Sequence, residues 1–240
     1  MFSREVSNNE EQLRRFSTYR IIEHVALIML FCALALTGLP QKFYYLSISQ
    51  SIIIILGGID ILRFMHHLAG ALFTVLALQH IIVNFAGVMF LRWQPAMLIT
   101  LQDARDAFHN VRYYLGLGDR SALCGRYSYK EKCIYWLVLL GGIQMIITGF
   151  VLWFPVTLTK FLPGLFIPLS KSVHTSEAML IFLLMVTWHI YDSILNPDVF
   201  PLNKSIFTGY ITKKQMRQLH PLEMPQGAET GNGVLPGPPV

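Results

Sequence analysis

Residues 63–90 read RFMHHLAGALFTVLALQHIIVNFAGVMF. After Arg63 no Asp, Glu, Lys or Arg appears until Arg92, yet three imidazoles, His66, His67 and His80, lie inside the run. About 20 apolar residues cross a bilayer as a helix, so this stretch predicts a membrane span. An ionisable side chain in lipid is costly, which makes each of these histidines a functional candidate. His66 and His80 are fourteen residues apart. That spacing puts them within about 40° on one helix face and roughly 21 Å apart along the axis. His67 points about 140° away from His80 and faces elsewhere.

The rest of the chain repeats the signature. Of 240 residues, 53% are hydrophobic and only 14% charged, with a mean hydropathy of +0.47. Globular chains carry about a quarter charged residues, and one soluble core cannot hide this much apolar surface. A soluble enzyme, a nucleic-acid module and a disordered linker are thereby excluded. Histidine aside, residues 25–41, 133–159 and 178–191 are also uncharged. The expected architecture is an all-α membrane protein, a four-helix transmembrane bundle occupying 21–200. Its spans are expected at about 21–40, 63–90, 132–155 and 173–195. A fifth uncharged stretch, 43–59, is interrupted by Ser47, Ser49, Gln50, Ser51 and the Gly57-Gly58 pair, and reads as an interfacial or re-entrant hairpin.

Lys and Arg in the flanks give the orientation. The tail 1–20, the connection 91–132 and the C-terminal segment together hold 15 of them, against Lys42, Arg63, Lys160 and Lys171 on the opposite side. Both termini are therefore expected in the cytoplasm, and the net charge of +5 is a topology signal that requires no nucleic acid. No cleavable signal peptide is evident, so the first span is expected to act as an uncleaved anchor. Cys32 lies in a span, and Cys124 and Cys133 fall on the cytoplasmic side. No CxxCH motif occurs, which excludes a covalent c-type haem, and a disulfide framework is not expected. No internal repeat of fixed period is apparent. A cytoplasmic extension is expected over 201–222, and the Pro- and Gly-rich tail 223–240 has too little to bury for order.

Five histidines lie in or at the ends of spans: His24, His66, His80, His174 and His189. His174 and His189 are fifteen residues apart, within about 60° on one face and roughly 22 Å along the axis. The second and fourth spans run in the same direction, so His66 lies level with His174 and His80 with His189. Two bis-imidazole sites at two depths follow, and neutral imidazole is an axial ligand of haem iron. Gly70, one turn after His66, leaves room for a porphyrin edge. Gly141, Gly142 and Gly149 serve the same purpose or ordinary helix packing. Arg63 and Lys171 each precede an outer histidine by three residues. They either pair with propionates or snorkel to the interface. Zinc is disfavoured because no further Cys or carboxylate completes a tetrahedral set. His24 shares the inner level with His80 and His189, one histidine more than a single iron takes, and spacing within helices favours His80 with His189.

Several segments together resemble the cytochrome b (gamma) subunits of membrane-bound formate dehydrogenases and related bacterial dihaem cytochromes b. They are Tyr19-Arg20-…-His24 leading to Thr37-Gly38-Leu39-Pro40, then Arg63-Phe64-Met65-His66-…-Gly70, and Tyr127-…-Lys132-…-Trp136. Thr148-Gly149-Phe150-Val151-Leu152-Trp153, His174, Trp188-His189-Ile190-Tyr191 and the closing His220-Pro221 continue the match over roughly 15–222. The resemblance implies two b-type haems: an outer one on His66 and His174, and an inner one on His189 with His24. The chain departs from that pattern in carrying one residue more between the histidines of its fourth span, and in the additional His80. The run Trp188-His189-…-Asn196-Pro197-…-Phe200-Pro201 followed by Thr208-Gly209 looks more like a sister group associated with multihaem cytochromes c. Both His24 and His80 stay candidates for the inner iron.

The resemblance also implies a quinone (menaquinone or ubiquinone) beside the inner haem, near Ser128, Tyr129, Glu131 and Lys132. These residues equally read as a capped, charged helix start. Glu177, one turn from His174, is a lone carboxylate that relays protons, bonds the imidazole or stays wet near the interface. No residue set resembles a bond-breaking catalytic site. The expected function is that of a dihaem membrane anchor in a hetero-oligomeric respiratory complex of a bacterial or archaeal cytoplasmic membrane. It would carry electrons between an iron-sulfur or multihaem cytochrome c subunit on the outer face and the quinone pool. The alternative is a haem-free transporter or assembly factor using the histidines to move protons or metal.

Overall fold

The computed structural model describes residues 11–197, 199–200 and 202–224. The expected tail lies outside the described residues from 225 onward, as do residues 1–10.

A short strand β1 (Gln12–Arg14) leads into helix α1 (Thr18–Lys42), which carries Pro40 in its last turn. The interrupted stretch that follows forms α2 (Ser47–Ile55). Nine helical residues reach only about 14 Å, half the thickness of a hydrocarbon core of about 30 Å, so α2 does not cross the membrane. Gly57 and Gly58 then adopt φ of +94° and +101°, a left-handed backbone that costs glycine nothing, and turn the chain into α3 (Ile59–Phe90). Helix α4 (Leu101–Tyr114) opens on a capping box between Thr100 and Asp103. Helix α5 (Tyr129–Trp153) is followed by the single turn α6 (Pro155–Leu158) and by α7 (Phe166–Leu184). Beyond α7 the helix continues through two π-helical segments, Met185–His189 and Tyr191–Leu195. A turn α8 (Ser205–Thr208), strand β2 (Tyr210–Thr212), helix α9 (Lys213–Leu219) and a 3-10 turn (Pro221–Glu223) complete the described chain.

Among the described residues four helices are long and apolar enough to cross a membrane: α1, α3, α5 and the combined Phe166–Leu195. Each begins a few residues before its apolar run, because backbone hydrogen bonding continues into the polar flank. This is a multi-pass membrane protein with the four-helix character expected. The strands were not expected, and they are too short and too polar to register as a periodic pattern.

The chain falls into two compact units. The first comprises Glu23–Ala86 and Leu137–Trp188. Its outward faces display Phe64, Val75, Ile82, Phe85 and Ile147, the surface that lipid covers. Inside it Leu62, Ala69, Val151, Thr37, Thr148 and Ser170 are buried. Close approach depends on small residues: a Cβ on Gly141 would stand 2.9 Å from the Ile181 side chain, and one on Gly142 3.1 Å from Phe73. The packing alternative for these two glycines is the one the structure favours.

The second unit comprises the described residues of Met1–Ile22, Gly87–Trp136 and His189–Val240. Strands β1 and β2 pair antiparallel, Gln12 opposite Thr212 and Arg14 opposite Tyr210. Leu13, Ile211 and Met216 form a small buried cluster beneath them. Arg15, only 3% exposed, bonds Glu223 at 3.3 Å and the Arg126 carbonyl at 2.9 Å, and Arg126 bonds Glu223 at 2.9 Å. A buried guanidinium is tolerated here because carboxylates and carbonyls surround it.

Candidate functional site

Two of the five span histidines meet inside the first unit. The rings of His66 (α3) and His174 (α7) stand 6.4 Å apart between centroids and are nearly perpendicular, at 79°. Each is held from a neighbouring helix by a threonine hydroxyl. Thr37 Oγ1 of α1 lies 2.9 Å from His66 Nδ1, and Thr148 Oγ1 of α5 lies 2.9 Å from His174 Nδ1. The next residue in each case is glycine. A Cβ on Gly38 would stand 3.1 Å from His66 Cε1, and one on Gly149 3.3 Å from His174 Cε1. The two glycines are thus cradles for the rings, a role the sequence suggested only loosely for Gly149 and not at all for Gly38. Two imidazoles facing one metal ion at bonds of about 2 Å, with about 1 Å from nitrogen to ring centre, need centres roughly 6 Å apart. The His66–His174 spacing fits that requirement, and so does the donor set.

The surroundings match unevenly. A Cβ on Gly70 meets nothing within 4 Å, so that face of α3 is open. Arg63 is mostly exposed and 3.7 Å from Asp60, and Lys171 is exposed. His67 turns away from the pair and stacks on Trp153 at 4.5 Å. Glu177 accepts a hydrogen bond from Gln144 Nε2 at 3.0 Å, which ties α7 to α5.

At the other level, His80 Nδ1 lies 2.9 Å from Glu23 Oε1, and both side chains are mostly buried. Glu23 was overlooked in sequence because it sits just outside the charge-free run 25–41 and passes for an ordinary flank. The only signal was its position one residue before His24. His24 belongs to the same unit, on α1. His189 belongs to the second unit, where it closes the π segment Met185–His189 and its carbonyl accepts from Ser193 Oγ.

The suggested quinone residues lie in the second unit as a capped helix start. Glu131 Oε2 accepts from the Ser128 amide at 2.7 Å and from its hydroxyl at 2.9 Å. Tyr129 opens α5, and Lys132 Nζ donates to Asp103 at 2.9 Å. Burial works against the Asp103 charge, but the bonds from Lys132 and Thr100 outweigh it and hold the carboxyl below its usual range. Nearby, Cys124, Glu131 and His220 bring ligand-type atoms within 4.8 Å of one another. Buried Arg15 stands 3.9 Å from Glu131, however, and His220 Nδ1 donates to the Gly125 carbonyl at 2.8 Å. The cluster therefore already contains its cation and its hydrogen bonds. Burial, then the Glu131 carboxylate, pushes the Cys124 thiol up to about 12. Burial, then Arg15, lowers the His220 imidazole.

No family model matches the chain. In sequence it is related to the protein named formate dehydrogenase, cytochrome b556(fdo) subunit, of Escherichia coli (strain K12). The two are 24% identical over 213 residues, covering 86% of this chain and 89% of the relative. The proteins of the same name from E. coli O6:H1 and O157:H7 match to the same extent.

Proposed function

We infer from this similarity that the chain is a cytochrome b subunit, and we propose that it is the dihaem membrane anchor of a respiratory complex. Its task is to carry electrons across the membrane between a redox partner subunit on the outer face and the quinone pool. The observation that carries the proposal is the facing pair His66 and His174, spaced for one metal ion and cradled by glycine on both sides. These two histidines would hold the outer haem. His189 with His24 would hold the inner one, the pair that the family resemblance favours. Haem, when bound, supplies one-electron redox chemistry.

The protein's own contribution is ligation, burial and charge. Thr37 and Thr148 orient the outer imidazoles, and Gly70 leaves its face of α3 open. Arg63 and Lys171 are exposed, where they can meet carboxylates of a bound group at the membrane edge. Glu23 of α1 holds the His80 ring of α3 from across the helix pair. Quinone chemistry is assigned to the cytoplasmic side, near Ser128, Tyr129, Glu131 and Lys132.

Pyridine haemochrome analysis of the purified chain tests the reading. Two b haems per chain are expected. A haem-free protein would overturn it in favour of a transporter or assembly factor that uses the histidines for protons or metal.

A further inference from the structure

We propose that Thr37 and Thr148 are positioning residues that select which nitrogen each outer imidazole offers to metal, and that they set the electron-donating strength of both ligands. The inference rests on the reading of His66 and His174 as a ligand pair and deepens it.

A threonine hydroxyl has one proton and two lone pairs. Thr37 Oγ1 directs its proton to the Ala33 carbonyl at 2.7 Å, one turn back in its own helix. Thr148 Oγ1 does the same to the Gln144 carbonyl at 2.8 Å. Toward the imidazole each oxygen can therefore only accept, so Nδ1 of His66 and of His174 carries hydrogen. Nε2 is left with its lone pair in both rings, which is the form a metal ion binds.

The arrangement occurs twice, on separate helix pairs, with the same dipeptide. Thr37-Gly38 of α1 serves His66 of α3, and Thr148-Gly149 of α5 serves His174 of α7. Back-bonded threonines are common in membrane helices. Two that also meet an imidazole Nδ1 at 2.9 Å, each followed by a glycine under Cε1, make a repeated device. Thr37 is 3% exposed and Thr148 8%, so water does not compete for the bond. An acceptor on Nδ1–H raises ligand basicity, which stabilises the oxidised metal and lowers its potential.

The test uses the full chain carrying Thr37→Val, Thr148→Val and, as rescues, Thr37→Ser and Thr148→Ser. It is read by haem stoichiometry, potentiometric titration and the electron paramagnetic resonance spectrum of the ferric state. Each Val variant is expected to keep two haems, with one midpoint shifted upward and one ferric signal altered, while each Ser variant returns both to wild type. Unchanged midpoints and spectra in both Val variants overturn the inference and leave the haem assignment standing. If a Val variant loses a haem, restoration by Ser supports the inference. Failure of Ser to restore it overturns the inference, because the methyl group and its packing would then be what matters. A wild-type chain without haem would instead overturn the proposed function itself.

Discussion

Histidines in an apolar helix are conspicuous because every other titratable group has been excluded from it. His66 and His174 were legible for that reason, and their spacing along the chain already paired them. The threonines beside them were not, since a threonine in a membrane helix normally satisfies its hydroxyl on the preceding turn, and Thr37 and Thr148 do so while also serving a ring. At the inner level the surplus of histidines was legible but its resolution was not. The Glu23 carboxylate gives His80 Nδ1 an acceptor, the kind of contact the outer imidazoles receive from threonine, so it does not separate His80 from His24. On the proposed ligation by His24 and His189, His24→Ala is expected to reduce haem content from two per chain to one, while His80→Ala keeps both. The reverse result in a haemochrome assay would transfer the ligand role to His80. Cys124 offers a second test of a single side chain. With its thiol near 12, the thiolate fraction at pH 8 is depressed by roughly three orders of magnitude relative to an ordinary cysteine. Alkylation of Cys124 by iodoacetamide at that pH, followed by mass spectrometry, is expected to be undetectable in the folded protein and rapid after denaturation.

At the scale of elements, local chemistry explains what the apolar pattern left open. The stretch 43–59 resolves into a nine-residue helix because polar residues open it and two left-handed glycines close it. The π segments of the fourth span could not be read from side-chain spacing, since a π turn has no residue signature. Such a turn holds one residue more than an α turn, and π bulges cluster at functional sites. The π segment Met185–His189 lies between the two histidines of the fourth span and ends on His189 itself. Helix α4 depends on Asp103 twice, as capping-box carboxylate and as partner of Lys132, with both side chains about 10% exposed. Asp103→Ala is expected to cost about 1–3 kcal/mol at neutral pH, seen as a lower unfolding temperature in detergent. The folded carboxyl titrates below the unfolded one, so its contribution is present above the unfolded value and is lost as pH falls through the folded value. Below about pH 4 the deficit of the variant should therefore shrink. A deficit that persists unchanged in strong acid would show that the charge is not what matters.

Across the whole molecule, the positive-inside asymmetry of 15 against 4, with four candidate spans among the described residues, predicts both termini on the cytoplasmic side. A green fluorescent protein fused to the C-terminus is expected to fluoresce, and an alkaline phosphatase fused there to be inactive. An active phosphatase would reverse the orientation and exchange the outer and inner levels. The four spans were legible as whole objects because lipid imposes one length and one composition on them. The second unit was not, since it is assembled from distant short pieces, among them a buried arginine held by a carboxylate more than two hundred residues away in sequence. The ribbon in that unit has a consequence in time. β1 is made before the first span, and its partner β2 lies some 200 residues later. At synthesis rates of about 5–20 residues per second, the first strand waits roughly 10–40 s for the second to exist. By then all four spans of the described residues have been synthesised. Closure of the ribbon thus reports that synthesis has passed the fourth span, a clasp that a chain abandoned before Tyr210 has no means of fastening.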